Sequence, residues 1–344
     1  MQFTRHKRNP IIPTTPETFT SVHTANPDVL LFRGRYHLYF RGHGDASRRL
    51  DEAAGFVGVS ASGGHDQIGV AYADPKGFDG ARWEMYAGNP VIRPGTEPEA
   101  IDSGHVLDPA AVVLDGRVHL YYTAHSLDPA TGSSTGLAVS DDGTHFEKVP
   151  GPVVPAIAPE AVVHDGRIYL LCSKPGAGGH FEILAFVSRD GLRFEQASKS
   201  AVLRPSGITG AFDRVSVTTV RIWREGEWFY MTYAGCDRYP DYPGAIGLAR
   251  SRDLLDWERY PGNPIFERGE PGTWDEGALW FPTVEKIGGT YYLWYEGGGA
   301  GLGLATPEAR EASRRARDEN YGGYGTTARS QIGLATYSGK LPAW

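Results

Sequence analysis

One pattern recurs five times along the chain: an apolar run, a glycine turn, and an aromatic-rich run. The copies are PDVLLFRGRYHLYF from Pro27, PAAVVLDGRVHLYY from Pro109, PEAVVHDGRIYLL from Pro159, VTTVRIWREGEWFYMTY from Val217 and PTVEKIGGTYYLWY from Pro282. Two strand-length runs joined by a tight turn read as a β-hairpin, and a hairpin repeated in this way buries its faces only against its neighbours. Aligned on Gly34, Gly116, Gly166, Gly226 and Gly289, the copies place a proline at one position in four cases and Thr219 in the remaining one.

A second element follows each hairpin: IGVAYADPKGFDGARWEMY, GLAVSDDGTHFEKV, AFVSRDGLRFEQA, IGLARSRDLLDWERY and IGLATYSGKLPAW. Asp-Gly turns in the second and third copies mark further hairpins, which gives four strands per unit, the content of a propeller blade. GNPVIRP from Gly88, GPVVPA from Gly151, SAVLRPS from Ser200 and GNPIFERG from Gly262 lead from one unit to the next. The fifth unit lacks such a segment, and an equivalent, RNPIIP from Arg8, stands before the first. The expected fold is all-β: a five-bladed β-propeller with four-stranded blades, its ring closed by the N-terminal strand so that no sheet edge is left open. Gly 45, Pro 24, Trp 8, Tyr 18 and Phe 14 suit many turns and aromatic strands, and no linker-like run divides residues 1–344, so one domain is expected.

A net charge of -7 with scattered signs excludes the basic surface that a nucleic-acid partner requires. The N-terminal MQFTRHKRNPIIP carries no apolar stretch of signal-peptide length and no later run approaches a membrane span, so a cytoplasmic protein with no membrane partner is expected. Cys172 and Cys236 lack metal-type spacing and read as reduced thiols. Two insertions, between Gly42 and Gln67 and between Gly297 and Arg329, follow second strands and are expected on the ligand face, the latter with a short helix over Pro307–Asn320.

First strands line a propeller's central channel, and residues two apart on a strand share a face. The residues flanking the aligned position are Asn26 and Asp28, Asp108 and Ala110, Ala158 and Glu160, Thr218 and Val220, Phe281 and Thr283. Asp28, Asp108 and Glu160 thereby point toward one region from three consecutive blades. Grouped carboxylates raise one another's pKa, which separates an acid from a base, as glycoside hydrolysis requires. The alternative is capping of strand ends or binding of a structural cation in the central channel; no other cofactor is required.

On NPD at Asn26 to Asp28, LDP at Leu107 to Pro109 and APE at Ala158 to Glu160, the chain resembles the five-bladed propeller glycoside hydrolases of families 43, 32, 68, 117 and 130. The family 43 resemblance implies Asp28 as base or nucleophile, Asp108 as the residue that tunes pKa and orients, and Glu160 as acid. Asp28 and Glu160 follow their prolines, whereas family 43 has its first Asp before the proline and its Glu before a Gly-Pro. The chain is also similar to family 130, the mannoside phosphorylases and hydrolases, with Ala110 in place of the arginine of that family's Asp-Pro-Arg. Phosphate must be held by basic groups, so this replacement favours hydrolysis, although Arg41, Lys174 and Arg238 remain as sources of charge. The three-carboxylate ring makes a glycosidase acting on a small oligosaccharide or glycoside the expectation, with inversion favoured over retention; inversion requires Asp28 and Glu160 roughly 6.5 to 9.5 Å apart. The alternatives are a family 130-like phosphorylase and a non-catalytic sugar-binding propeller; the sequence leaves the oligomeric state open.

Arg41, His43, His125, Lys174, Asp237, Arg238 and Glu296 follow second strands and are expected at the same face, where polar groups suit sugar hydroxyls. His23 and His105 each stand three residues before the ring position of their blades, near the pocket mouth. A metal site that uses them with His43 or His125 is an open alternative, but no HxxxH-like spacing specifies one, so no metal is assigned. Trp280 and Phe281 offer either a sugar-stacking face or simple packing. Asp102, Asp213 and Asp275 recur ahead of the ring position in three blades, which marks a loop-capping role, and Asp141, Asp142, Asp190 and Asp253 belong to outer turns.

Overall fold

The computed structural model of the chain describes residues 1–44, 64–176, 178–299 and 329–344. The helix expected over Pro307–Asn320 lies outside them, as does most of both insertions. Every regular element among the described residues is a strand, and the strands form five small antiparallel sheets arranged as a five-bladed β-propeller. The first sheet runs β2 (His23–Phe32), β3 (Arg35–His43), β4 (Asp66–Ala73), β5 (Glu84–Met85), and the second β6 (His105–Leu114), β7 (Arg117–His125), β8 (Ser133–Ser140), β9 (Glu147–Val154). The third runs β10 (Ile157–His164), β11 (Arg167–Pro175), β12 (Phe181–Ser188), β13 (Glu195–Gln196). The fourth runs β14 (Ser216–Glu225), β15 (Trp228–Cys236), β16 (Ala245–Ser251), β17 (Glu258–Arg259), with β18 (Phe266–Glu267) also on β16. In the fifth, β19 (Ala278–Ile287), β20 (Thr290–Gly299) and β21 (Arg329–Tyr337) are completed by the N-terminal β1 (Thr4–Arg5), whose residues pair with Thr336 and Ala335.

The chain falls into two compact units, one of residues 1–12, 173–184 and 200–344, the other of residues 13–172 and 185–199. Phe3, Trp223, Tyr230, Ile246, Leu279 and Tyr295 belong to the core of the first unit. Phe32, Tyr39, Ile68, Val70, Val106, Leu120 and Tyr122 belong to that of the second.

The inner hairpins turn on two residues of positive φ: Arg33 and Gly34, Asp115 and Gly116, Asp165 and Gly166, Gly288 and Gly289. That is the turn whose twist matches the twist of paired strands. The fourth blade differs. Its strands pair up to Glu225 and Trp228, so Gly226 takes the first turn place rather than the second. The alignment on Gly226 is therefore one residue out of register there. A second shared feature corrects it: each inner strand carries one non-glycine residue in the left-handed region, namely Asn26, Asp108, Ala158, Thr219 and Phe281, with φ between 45° and 55°. Thr219 and Arg221, not Thr218 and Val220, are the fourth blade's counterparts of Asn26 and Asp28.

At this place the ladder slips. Ala25 pairs with Arg41 and Asp28 with Tyr39, so Asn26 and Pro27 together oppose Phe40. The same slip occurs between Leu107 and Ala110, Thr218 and Arg221, and Trp280 and Thr283. The strict two-residue alternation assumed for Asn26 and Asp28 does not run through a bulge, which re-aims the side chains beside it.

The loop aspartates are structural. Tyr122 Oη donates to Asp102 Oδ2 at 2.9 Å with Lys148 Nζ at 2.5 Å; Tyr233 and Arg259 reach Asp213 at 3.1 and 3.0 Å, and Tyr295 and Arg5 reach Asp275 at 2.9 and 2.7 Å. The asparagines of the Asn-Pro segments complete the pattern, since each side chain donates to and accepts from one backbone residue of a third strand. Asn9 so holds Leu334, Asn89 holds Val70 and Asn263 holds Leu248. Cys172 and Cys236 are free and buried.

Candidate active site

The inner strands β2, β6 and β10 carry Asp28, Asp108 and Glu160 at or two residues past their left-handed residues, all within one compact unit. The three are 7%, 6% and 6% exposed, a degree of burial that carboxylates show only with partners. Asp28 Oδ2 accepts the backbone N–H of Ala111 at 2.7 Å, which ties the first blade's inner strand to the second's. Asp108 occupies the left-handed position itself, whereas Asp28 and Glu160 stand two residues past it. Glu160 lies close enough to Cys172 to act on its thiol, which burial foremost, and that carboxylate with it, push up to about 12. Asn26, 2% exposed, shares the left-handed conformation of Asp108.

A second constellation in the same unit grows from strand register. His23 pairs with His43, and His43 with Asp66, a row across β2, β3 and β4. His105 pairs with His125, and His125 with Ser133, a row across β6, β7 and β8. The rows meet at Asp66. Arg41 Nε stands 2.6 Å and His43 Nδ1 3.0 Å from its Oδ1, and His105 Nδ1 stands 2.8 Å from its Oδ2. The Asp66 backbone N–H also donates to His105 Nδ1 at 3.1 Å. His65 Nδ1 contacts the carbonyl of Gly104 at 2.5 Å, with its ring 6.0 Å from that of His105. Rings of His23 and His43 are 5.8 Å apart, those of His105 and His125 6.2 Å. Two of the chain's eleven histidines thus reach one carboxylate, and the rings of three more stand about 6 Å from those two.

Burial alone would raise the Asp66 carboxyl, but the Arg41 guanidinium and hydrogen bonds from His105 and His43 outweigh it and hold it well below the usual carboxylate range. Burial, with His105 next, pushes the His125 imidazole down to about 4, and its Nδ1 lies 2.5 Å from Ser133 Oγ. His125 is therefore neutral at physiological pH. Asp66 and His65 did not stand out in the sequence, because neither belongs to the repeated hairpin; the signal was their place at the head of a third strand, opposite His43.

The remaining expected residues belong to the other unit. Lys174, Asp237 and Arg238 are exposed; the Arg214 guanidinium donates to the Asp237 carbonyl, and Arg238 lies over the ring of Tyr239. Trp280 is 6% exposed and its indole N–H donates to Asp241 at 3.2 Å. Glu296 pairs with Trp280 across the sheet and accepts from Ser330 Oγ at 2.6 Å. Phe281, 3% exposed, lies 4.9 Å beneath the guanidinium of Arg221, which is itself 1% exposed. Arg221 escaped the sequence reading because the Gly226 alignment put Val220 in its place.

No protein-family model matches the chain. A stretch of 233 residues, 60% of this chain, is 26% identical to a 1,2-β-oligomannan phosphorylase of Thermoanaerobacter sp. (strain X514), spanning 69% of that protein. Among solved structures the chain is similar to the β-1,2-mannobiose phosphorylase of Listeria innocua, at 15% identity and a TM-score of 0.67, with 98% of this chain and 97% of that one covered. It is similar to the same degree, TM-score 0.67 at 17% identity over 99% and 95% of the two chains, to a structure from work on glycoside hydrolase family 130, whose mannoside phosphorylases include hydrolases that target β-1,2-mannosidic linkages in Candida mannan. Likeness at these identities carries the fold, not the reaction. The chain is a five-bladed β-propeller whose structural neighbours lie among glycoside hydrolases and mannoside phosphorylases, and whose sequence is similar to one of the latter.

Proposed function

We propose that the protein cleaves the glycosidic bond of a small oligosaccharide or glycoside by carboxylate general acid–base catalysis, transferring the sugar to water with inversion. The observation that carries this reading is the placement of Asp28, Asp108 and Glu160, all nearly buried, at or two residues past the left-handed residue of three consecutive inner strands. Asp28 accepts a backbone N–H, and a donor aimed at a carboxylate oxygen favours the ionised form that a base needs. In this reading Asp28 activates water, Glu160 protonates the leaving oxygen, and Asp108 orients the pair. Asn26, His23, His43, His105 and His125 supply hydrogen bonds to sugar hydroxyls.

Phosphorolysis is the second reading, favoured by the similarity to a 1,2-β-oligomannan phosphorylase. Against it stand Ala110 at the place of a family 130 arginine, and the commitment of Arg41 to Asp66, which leaves its charge balanced. Purified protein should be incubated with β-1,2-mannobiose and with aryl glycosides of mannose, arabinofuranose, xylose, fructose and galactose, with and without inorganic phosphate. Free reducing sugar at equal rates in both conditions supports hydrolysis. A phosphate-dependent sugar 1-phosphate selects the second reading, and absence of cleavage across the panel leaves a sugar-binding propeller.

A further inference from the structure

We propose that His43, Asp66 and His105 form a binding site for a divalent transition-metal ion, distinct in its ligands from the three inner-strand carboxylates. One ligand atom from each of His43, Asp66 and His105 lies within 4.8 Å of the other two. His43 Nδ1 stands 3.0 Å from Asp66 Oδ1 and His105 Nδ1 2.8 Å from the other oxygen, Oδ2. Ligands about 2.1 Å from a common metal stand about 3 Å apart, so these atoms need little movement to share an ion.

The surroundings suit a ligand set. Arg41 Nε on Asp66 Oδ1 fixes the carboxylate from the side away from His105, the outer support that ligating carboxylates receive. His23, His65 and His125 wall the cluster with rings about 6 Å from His43 or His105. Two imidazoles and one carboxylate leave coordination positions open and select zinc, iron(II) or manganese(II) over calcium and magnesium, which take oxygen ligands. An ion held there would present its open positions to a ligand oxygen or a water.

The test uses the intact protein without any sugar, so its outcome is independent of whether glycosides are cleaved. Zinc and cobalt(II) are titrated by calorimetry, cobalt also by its visible d–d absorption, and metal content is measured by mass spectrometry after dialysis. One ion per chain is expected, with no competition from magnesium or calcium. Asp66→Asn, His105→Ala and His43→Gln should each weaken binding at least as much as Arg41→Gln, for which a loss of about 10- to 100-fold is expected. His145→Gln, on an exposed outer turn, should leave it unchanged. Wild-type protein that takes up no saturating ion overturns the proposal without recourse to any variant. Saturable binding that survives substitution at Asp66, His43 and His105 overturns it as well, by placing the ion elsewhere.

Discussion

Asp28 combines two properties in one side chain, and substitution separates them. Its Oδ2 accepts the Ala111 N–H, a bond that an asparagine carbonyl also makes, whereas the negative charge is lost in either case. Asp28→Asn should therefore keep the urea midpoint of the parent while kcat falls by about 10²- to 10⁴-fold, the usual worth of a general base. Asp28→Ala should add a loss of about 1 kcal/mol in stability from the abandoned N–H. Wild-type turnover in Asp28→Asn would restrict this carboxylate to tying blades together. His125 yields a pH prediction. Its folded pKa of about 4 lies below the unfolded value of about 6.5, so the unfolded chain binds the extra proton between these limits. That contribution to stability is complete above pH 6.5 and is lost progressively as pH falls toward 4. Denaturation midpoints measured across this range should fall less steeply in His125→Gln. The places of Asp28, Asp108 and Glu160 on consecutive inner strands were legible because the hairpin repeat numbers those strands. The cluster around Asp66 was not, since cross-strand pairing of His23, His43 and Asp66 joins residues up to 43 positions apart without any short motif.

The hairpin is the element in which local chemistry was most readable, and the two places where it misled have physical reasons. Asp-Gly and Gly-Gly pairs announce the inner turns, but Gly226 precedes Glu227 and so serves the first turn place. The left-handed residues of the inner strands are Asn26, Asp108, Ala158, Thr219 and Phe281, and only asparagine and aspartate have any local tendency toward that conformation. The aspartates read as outer-turn residues do sit in turns. Ser140 and Asp142, Ser188 and Asp190, and Ser251 and Asp253 repeat one motif, in which the serine hydroxyl donates to the aspartate and the aspartate accepts backbone N–H groups two and three residues on. All three carboxyls are held below their ordinary pKa: those of Asp142 and Asp253 by backbone hydrogen bonds that outweigh burial, and that of Asp190 by its bonds to Arg193 and Leu192. Depressed carboxyls stabilise the fold above their unfolded pKa of about 3.9, and this is lost as pH falls through the folded values. A chain carrying Asp142→Asn, Asp190→Asn and Asp253→Asn keeps the acceptors and loses the titration. Its acid unfolding limb, followed by circular dichroism below about pH 4, should be shallower than that of the parent; a superimposable limb would show that these turns carry no acid sensitivity.

The fold as a whole depends on a strand whose residues pair with partners 330 and 332 positions later, since Arg5 pairs Ala335 and Thr4 pairs Thr336 at the other end of the chain. The repeat made this legible through the missing last segment and the early RNPIIP, and the bonds that hold the strand now give its removal a definite cost. Phe3 and Ile12 are 8% and 5% exposed. Arg5 reaches the carboxylate of Asp275, which is itself fully buried, and Asn9 pairs both backbone groups of Leu334. Each link has a partner that is left unsatisfied when the link is cut. Phe3→Ala should cost about 3 kcal/mol through lost burial, and Asn9→Ala about 1 to 3 through two stranded backbone groups. Arg5→Met should cost about 3 to 5, because it leaves a buried charge with Tyr295 and Thr273 as its remaining partners. Asn89→Ala supplies the comparison, since Asn89 makes the same two bonds to Val70 from a segment contiguous with its own sheet. Equal urea-midpoint shifts for Asn9→Ala and Asn89→Ala would show that the N-terminal strand is bound as firmly as one that never leaves its blade. Deleting residues 1–12 should then expose the edge of β21, and an unpaired edge recruits other chains, so light scattering should rise as the unfolding midpoint falls. A truncated chain that unfolds at the parental midpoint and stays monodisperse would mean that three strands suffice for the fifth blade.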